Sequence, residues 1–410
     1  MRKLEDSGTL RARSSEVFSV LRLCAVNEPL LPNLKALELW RVDRDFISFI
    51  PLFLSPRITA ITIWCIESDS PKAIVASVIT TFPRLSPNLQ DVTLYSIPRD
   101  PMIAAAVSGM PLTNGQNHLR CCQVDTPLTE EAHEVIFKLP HLRVLSVVIE
   151  RDTLPTVVLP GLTGIHIEYD HDHDWLQGFR GATLGKLASA TFFSESKSIG
   201  DFLKAFESVA LTTSIPATLS IFRFHTSRPW SPNYRSLLPF TQLKEIIIDF
   251  SCERSCSSTI DDDTITDIAR EIPGPEILQL GDPCQTPTGV TAEGLAALAR
   301  YCPHLSTLRI HFQAYTLDLP ATPGAVQLPD GEPTIQRKDC ALTDLEVGKI
   351  LVPEESTLTI AQTLLRIFPR IDRITYLGDG WGEIMDAIEH FKQLADLSGK
   401  DPSPPLPRSK

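Results

Sequence analysis

The chain has 410 residues, 43% of them hydrophobic, and a formal net charge of −12. That length permits a large core, built as two or three domains or as one elongated one, while the acidic balance excludes a general electrostatic draw to nucleic acid or to an anionic membrane. The start, MRKLEDSGTLRARSSEV, lacks the apolar core of a secretory signal, and no apolar run approaches the roughly 18 residues of a membrane span, so a cytoplasmic or nuclear protein is expected.

Residues 1–30 read as an N-terminal segment with a first helix. From Leu31 one phrase recurs: LPNLKALELW, then SPRITAITIW, SPNLQDVTLY, LPHLRVLSVV and CPHLSTLRIH. Aligned on the first apolar residue they share L-x-x-L-x-L, as in Leu34, Leu37, Leu39; Ile58, Ile61, Ile63; and Leu89, Val92, Leu94. Good matches also begin at Leu142, Leu162, Leu219, Leu243, Leu305 and Ile371, and weaker ones at Leu119, Leu187, Pro275 and Leu342, thirteen cycles in all. The steps run from 20 to 37 residues, with a mean of about 28, inside the range of leucine-rich repeats. Proline stands two residues before the first apolar position in eight cycles, at Pro32, Pro56, Pro87, Pro140, Pro160, Pro273, Pro303 and Pro369. Proline lacks the N–H that a helix interior needs and pushes its predecessor toward extended geometry, so it ends each incoming helix before the strand.

Helix starts lie between the strands. Ser70 precedes Pro71 in SPKAIVASVITTF, Thr129 precedes two glutamates in TEEAHEVIFKL, Asp261 to Asp263 precede TITDIAREI, and Thr291 stands with Glu293 in TAEGLAALARY. No single strand–helix unit covers its own leucines, so neighbours must stack. The expected fold is therefore α/β, a leucine-rich-repeat solenoid or horseshoe over residues 31–380, with parallel strands on a concave face and helices outside. Residues 313–339 carry Pro320, Pro323, Pro329 and Pro333 and read as a projecting loop. Residues 381–397 read as a C-terminal capping helix, and 398–410 as a disordered tail whose PPLPR could dock on an SH3-like groove. The cysteines, Cys24, Cys65, Cys121, Cys122, Cys252, Cys256, Cys284, Cys302 and Cys340, are nine and partly at core positions, which fits reduced thiols.

Strand alternation turns the residue after the last apolar position toward the concave face. Those residues are Trp40, Trp64, Tyr95, Glu168, Phe193, His225, Asp249 and His311. The first three form an aromatic row of the kind that supplies binding hot spots; packing beneath an N-terminal cover is the alternative. Chemistry elsewhere is thin. HDHDW (His171–Trp175) pairs two histidines but has no third ligand in view, CERSC (Cys252–Cys256) has no second pair, and LGDGWGE (Leu377–Glu383) has the wrong glycine spacing for a phosphate loop. No catalytic, cofactor or metal residue is assigned.

The stretch GVTAEGLAALARYCPHLSTLRI, ending at Ile310, resembles the cysteine-containing leucine-rich repeat of F-box receptor proteins, with Cys302 in the cysteine position. The opening SSEVFSVLRLCAVNEPLLPNLKALELW resembles the region just behind the F-box in a large family of F-box proteins from mushroom-forming fungi. The resemblance implies the substrate-recognition half of a ubiquitin-ligase receptor, joined through an F-box to a Skp-type adaptor and a cullin. The residues ahead of Leu31 are too few for that F-box, so adaptor and cullin are expected only if one lies upstream. A stand-alone interaction or inhibitor protein is the second expectation, and an enzyme with an unfamiliar site the third.

Overall fold

The computed structural model describes residues 3–5, 28–112, 118–150, 159–169, 186–194, 215–226, 234–250, 260–281, 289–310, 340–347, 356–376 and 381–398, with parts of 17–21 and 202–208 and the positions 184 and 312. The chain forms two compact units, Met1–Phe193 with Leu211–Ile215, and Ser194–Ala210 with Pro216–Lys410.

Each of the thirteen cycles has a strand that begins two residues after its first apolar position. They are β2 (Ala36–Leu39), β3 (Ala60–Ile63), β4 (Asp91–Leu94), β5 (Cys121–Pro127), β6 (Val144–Ile149), β7 (Gly164–Tyr169), β8 (Ser189–Ser194), β9 (Ile221–Thr226), β10 (Glu245–Phe250), β11 (Ile277–Leu280), β12 (Thr307–Ile310), β13 (Asp344–Val347) and β14 (Arg373–Tyr376). A further short strand, β1 (Lys3–Glu5), pairs with β2 inside the segment where only a helix was expected. In the first unit β1 to β7 pair in sequence order, each parallel to the next. In the second, β9 to β14 do the same.

The repeated prolines have a sharper role than stopping helices. In seven cycles proline sits second in a β-turn whose first carbonyl accepts from the N–H of the first apolar residue: Leu31 from Leu34, Ser55 from Ile58, Ser86 from Leu89, Leu139 from Leu142, Leu159 from Leu162, Cys302 from Leu305 and Phe368 from Ile371. Proline's fixed φ suits that second position. The eighth, Pro273, is followed by Pro275, which has no N–H to close the turn. Beyond the turn, two consecutive N–H groups share the carbonyl just ahead of the previous strand: Thr59 and Ala60 on Lys35, Gln90 and Asp91 on Thr59, Arg143 and Val144 on Arg120, Ser306 and Thr307 on Glu276, Asp372 and Arg373 on Thr343. The same bond at each repeat locks the register.

The apolar positions of the strands are buried except Tyr376 at the end of β14, each large aliphatic side chain contributing roughly 1.5–3 kcal/mol. Helices cover that side of the sheet: α1 (Lys72–Leu85), α2 (Pro101–Leu112) and α3 (Glu130–Ile136) in the first unit, α4 (Asp262–Glu271), α5 (Ala292–Tyr301), α6 (Thr357–Ile367) and α7 (Trp381–Ser398) in the second. The first cycle uses a 3-10 helix, Ile47–Phe53, with Pro51 inside it. Thr129 caps α3 through Ala132 N–H, Asp261 caps α4 through Thr264 N–H, and Thr291 caps α5 through Glu293 N–H. Ser70 does not cap α1: Pro71 takes that place without a side-chain bond, and the buried Ser70 hydroxyl has no hydrogen-bond partner among the described residues.

Five described cysteines, Cys65, Cys121, Cys122, Cys302 and Cys340, are free thiols; the other four lie outside the described residues. Burial pushes Cys122 and Cys302 up to about 12, and burial followed by the Asp91 charge pushes Cys121 to about 11. A thiol at about 12 is roughly one part in ten thousand thiolate at pH 8, and the thiolate is the reactive form. Native alkylation at that pH, mapped by peptide mass spectrometry, is expected to spare Cys122 and Cys302 until denaturant is added.

Candidate functional site

The row expected from the repeat forms. Trp40, Trp64 and Tyr95 each follow a strand's last buried apolar residue, on β2, β3 and β4, so the parallel register sets them side by side. Ring centroids are 5.3 Å apart from Trp40 to Trp64 and again from Trp64 to Tyr95, with planes within 15° and 21° of parallel. Among the described residues the rings have no cover: Trp40 is 53% exposed and Trp64 37%. Trp64 Nε1–H donates to Glu38 Oε1 at 3.3 Å, which fixes the indole over the neighbouring strand. Tyr95 is half-buried, and its hydroxyl meets Ser146 of β6; burial raises it above the ordinary tyrosine value.

The row stops at Tyr95 because β5 places Asp125 at the next position. Its carboxylate accepts from the backbone N–H of Ser96 and of Ile97, holding Ser96 at φ 46°, in the left-handed region that non-glycine residues seldom enter. The loop bent this way carries Arg99 across to Glu168 on β7, where the two form an ion pair. Glu168 is thus engaged by the loop instead of standing open. At the other end of the row Arg41 pairs with Glu67 at 2.8 Å.

Phe193 is half-buried on β8. In the second unit His225 Nδ1 lies 3.2 Å from Asp249 Oδ2, and Asp249 also meets Arg309 of β12 at 3.6 Å. Arg309 continues to Glu346 of β13 at 3.2 Å. On β11 the register sets Gly281, at φ 90°, beside Asp249 and Gln279 beside Arg309; the guanidinium reaches diagonally over β11 to Asp249, past the position that has no side chain. These residues form a charged bracket linked by ion pairs across β9, β10, β12 and β13. His311, the HDHDW and CERSC segments and residues 313–339 lie outside the described residues; Trp381 of the LGDGWGE stretch is buried. Among the described residues no group of three His, Cys, Asp or Glu side chains is placed to hold a metal, and no helix is long and apolar enough to cross a membrane.

Template reasoning missed Glu38 and Arg309, although both occupy the position between the last two apolar residues that also faces outward. It missed Asp125 because its cycle is one of the weaker matches. No known family model matches the chain, and no curated protein matches it. Fold and site together define a repeating parallel β/α protein with an exposed aromatic row on the sheet face opposite its helices.

Proposed function

We propose that the chain is a non-catalytic, protein-binding solenoid of the leucine-rich-repeat type that holds its partner on the face carrying Trp40, Trp64 and Tyr95. The observation behind this reading is the stacked row with two indoles left in water. Rigid rings bury a large area on contact at a small loss of side-chain entropy, which is why aromatic residues dominate interface hot spots. The resemblance around Ser14–Trp40 and Val290–Ile310 extends the reading: the held protein is the substrate of an F-box-type ubiquitin ligase, presented through a Skp-type adaptor and a cullin. A stand-alone interaction or inhibitor protein is the second reading. It needs only the exposed row, which can hold a partner without an adaptor.

Affinity purification of the full-length protein from the cells that make it, wild type beside Trp40→Ser/Trp64→Ser and read by quantitative mass spectrometry, tests both. One stoichiometric protein is expected to drop about tenfold or more in the variant. Adaptor and cullin recovered equally with both forms support the ligase reading; their absence beside a bound partner supports the second. A variant that folds and retains every wild-type partner discards the binding face.

A further inference from the structure

The chemistry of the ring row is defined by its surroundings. Nearly parallel rings touch at about 3.5 Å, so centroids 5.3 Å apart mean that each ring is slid over the next by about 4 Å, the offset stacking aromatic pairs prefer. The rings overlap like roof tiles, and each leaves part of its π face to solvent. That explains how Trp64, with a ring on either side, keeps 37% of its surface exposed. Such faces are electron-rich and attract guanidinium and ammonium groups.

Among the described residues, the charges that β2 to β5 hold out near the rings have one sign. On β2 to β5 the outward positions, counting the residue after each strand, hold no lysine or arginine; Glu38 and Asp125 lie toward the rings, and Asp91 opens β4 at the opposite end. At the ring end of these strands Arg41 is paired with Glu67 and Arg99 with Glu168. Lys35 and Arg120 precede their strands, at the opposite end, and Arg120 offsets only part of the effect of burial on Asp91. Burial holds Asp125 above the ordinary carboxylate value, against the bonds from Ser96 and Ile97 and the charge of Arg99.

We propose that this face takes an extended, arginine-bearing protein segment, with guanidinium groups over the exposed faces of Trp40 and Trp64 and beside Glu38. The inference rests on reading the face as protein-binding and names the partner's chemistry. Two ring steps of 5.3 Å are covered by about three extended residues, so arginines separated by one residue reach successive rings. Arginine is preferred to lysine because the planar guanidinium lies flat on a ring and keeps a fork of N–H donors for a carboxylate.

The test uses fluorescein-labelled peptides of equal length built from repeating Arg-Ser, Lys-Ser or Glu-Ser, titrated into the full-length protein at low and at physiological salt and read by anisotropy. The Arg-Ser peptide is expected to bind, Lys-Ser several-fold more weakly, and Glu-Ser not at all. Trp40→Leu/Trp64→Leu keeps the apolar cover and the net charge, and is expected to lower Arg-Ser affinity about tenfold. Glu38→Gln lowers it several-fold and flattens the salt dependence. Circular dichroism and a melt matching the wild type exclude misfolding; for a double variant that fails this check, Glu38→Gln and the single Trp64→Leu decide. Equal Arg-Ser affinity in the leucine variant overturns the proposal, because the attraction is then only the general acidity of the chain. If the serine variant loses its cellular partner while no peptide preference exists, the binding face stands and the arginine segment is wrong; if neither effect appears, both fall.

Discussion

Phe206→Ala is expected to cost about 3–5 kcal/mol, the range for deleting a buried phenylalanine. Phe206 is buried in the second unit, its ring centroid 5.3 Å from Phe240, 5.5 Å from Phe222 and 5.9 Å from Phe202, with Phe202 in turn 4.6 Å from Phe224. Phe222 and Phe224 are the inward residues of β9, and Phe240 is the first residue of the turn ahead of β10. The ring therefore ties two successive strands to the layer above them. Removing it forfeits its own burial, leaves a void among three rings, and ends aromatic pairings each contributing roughly 0.5–1.5 kcal/mol beyond area. Phe206→Leu, which keeps most of the volume, is expected to cost under about 1.5 kcal/mol. Urea unfolding followed by circular dichroism measures both, with hydrogen exchange locating the loss in β9 and β10. Similar costs for the two substitutions would mean that the rings are not the closely packed unit their spacing implies.

The strands were legible because a parallel strand with one face on the core must repeat apolar residues at a spacing of two, and Leu37 with Leu39 or Ile61 with Ile63 do so beside a fixed turn. The turn proline reinforced that reading even where its physical role differed, since proline serves both ends: a β-turn uses its fixed φ and a helix stop its missing N–H. The strand β1 was not legible: three residues, Lys-Leu-Glu, carry no period. Nor was α2, whose sequence PMIAAAVSGMPL is apolar on every side and so has no amphipathic signal. In the candidate site, Trp40, Trp64 and Tyr95 were found because all three share one template position. The Arg99–Glu168 pair was not, since its partners are 69 residues apart and meet only through a loop bent by Ser96. Gly281 carried a sign that the template passed over: a glycine where other cycles place tryptophan, tyrosine or aspartate marks a neighbour that reaches across.

Gly294→Ala is expected to destabilise the second unit by about 2–4 kcal/mol, although alanine in a helix is ordinarily better than glycine by about 1 kcal/mol. Gly294 lies in the first turn of α5, and a Cβ there would sit 2.4 Å from Asp262 Oδ1, too close for either atom. Asp262 opens the preceding helix, α4, and reaches over to the next. Its Oδ1 accepts from Thr291 N–H at 2.8 Å and Gly294 N–H at 3.0 Å, and its Oδ2 from the Thr291 hydroxyl at 2.6 Å. One carboxylate therefore satisfies two of the N–H groups that α5 leaves without intrahelical partners, and sits where the helix dipole favours negative charge. The alanine methyl must displace that carboxylate or push the two helices apart, and in either case the bonds that join consecutive repeats are lost together. A double-mutant cycle separates the clash from the bonds. Asp262→Ala alone removes the three acceptor contacts; if the clash drives the loss, Gly294→Ala made in the Asp262→Ala background is expected to be neutral or stabilising, as helix propensity dictates once the oxygen is gone. An additive result would place the cost in backbone conformation at Gly294 and not in its contact with Asp262.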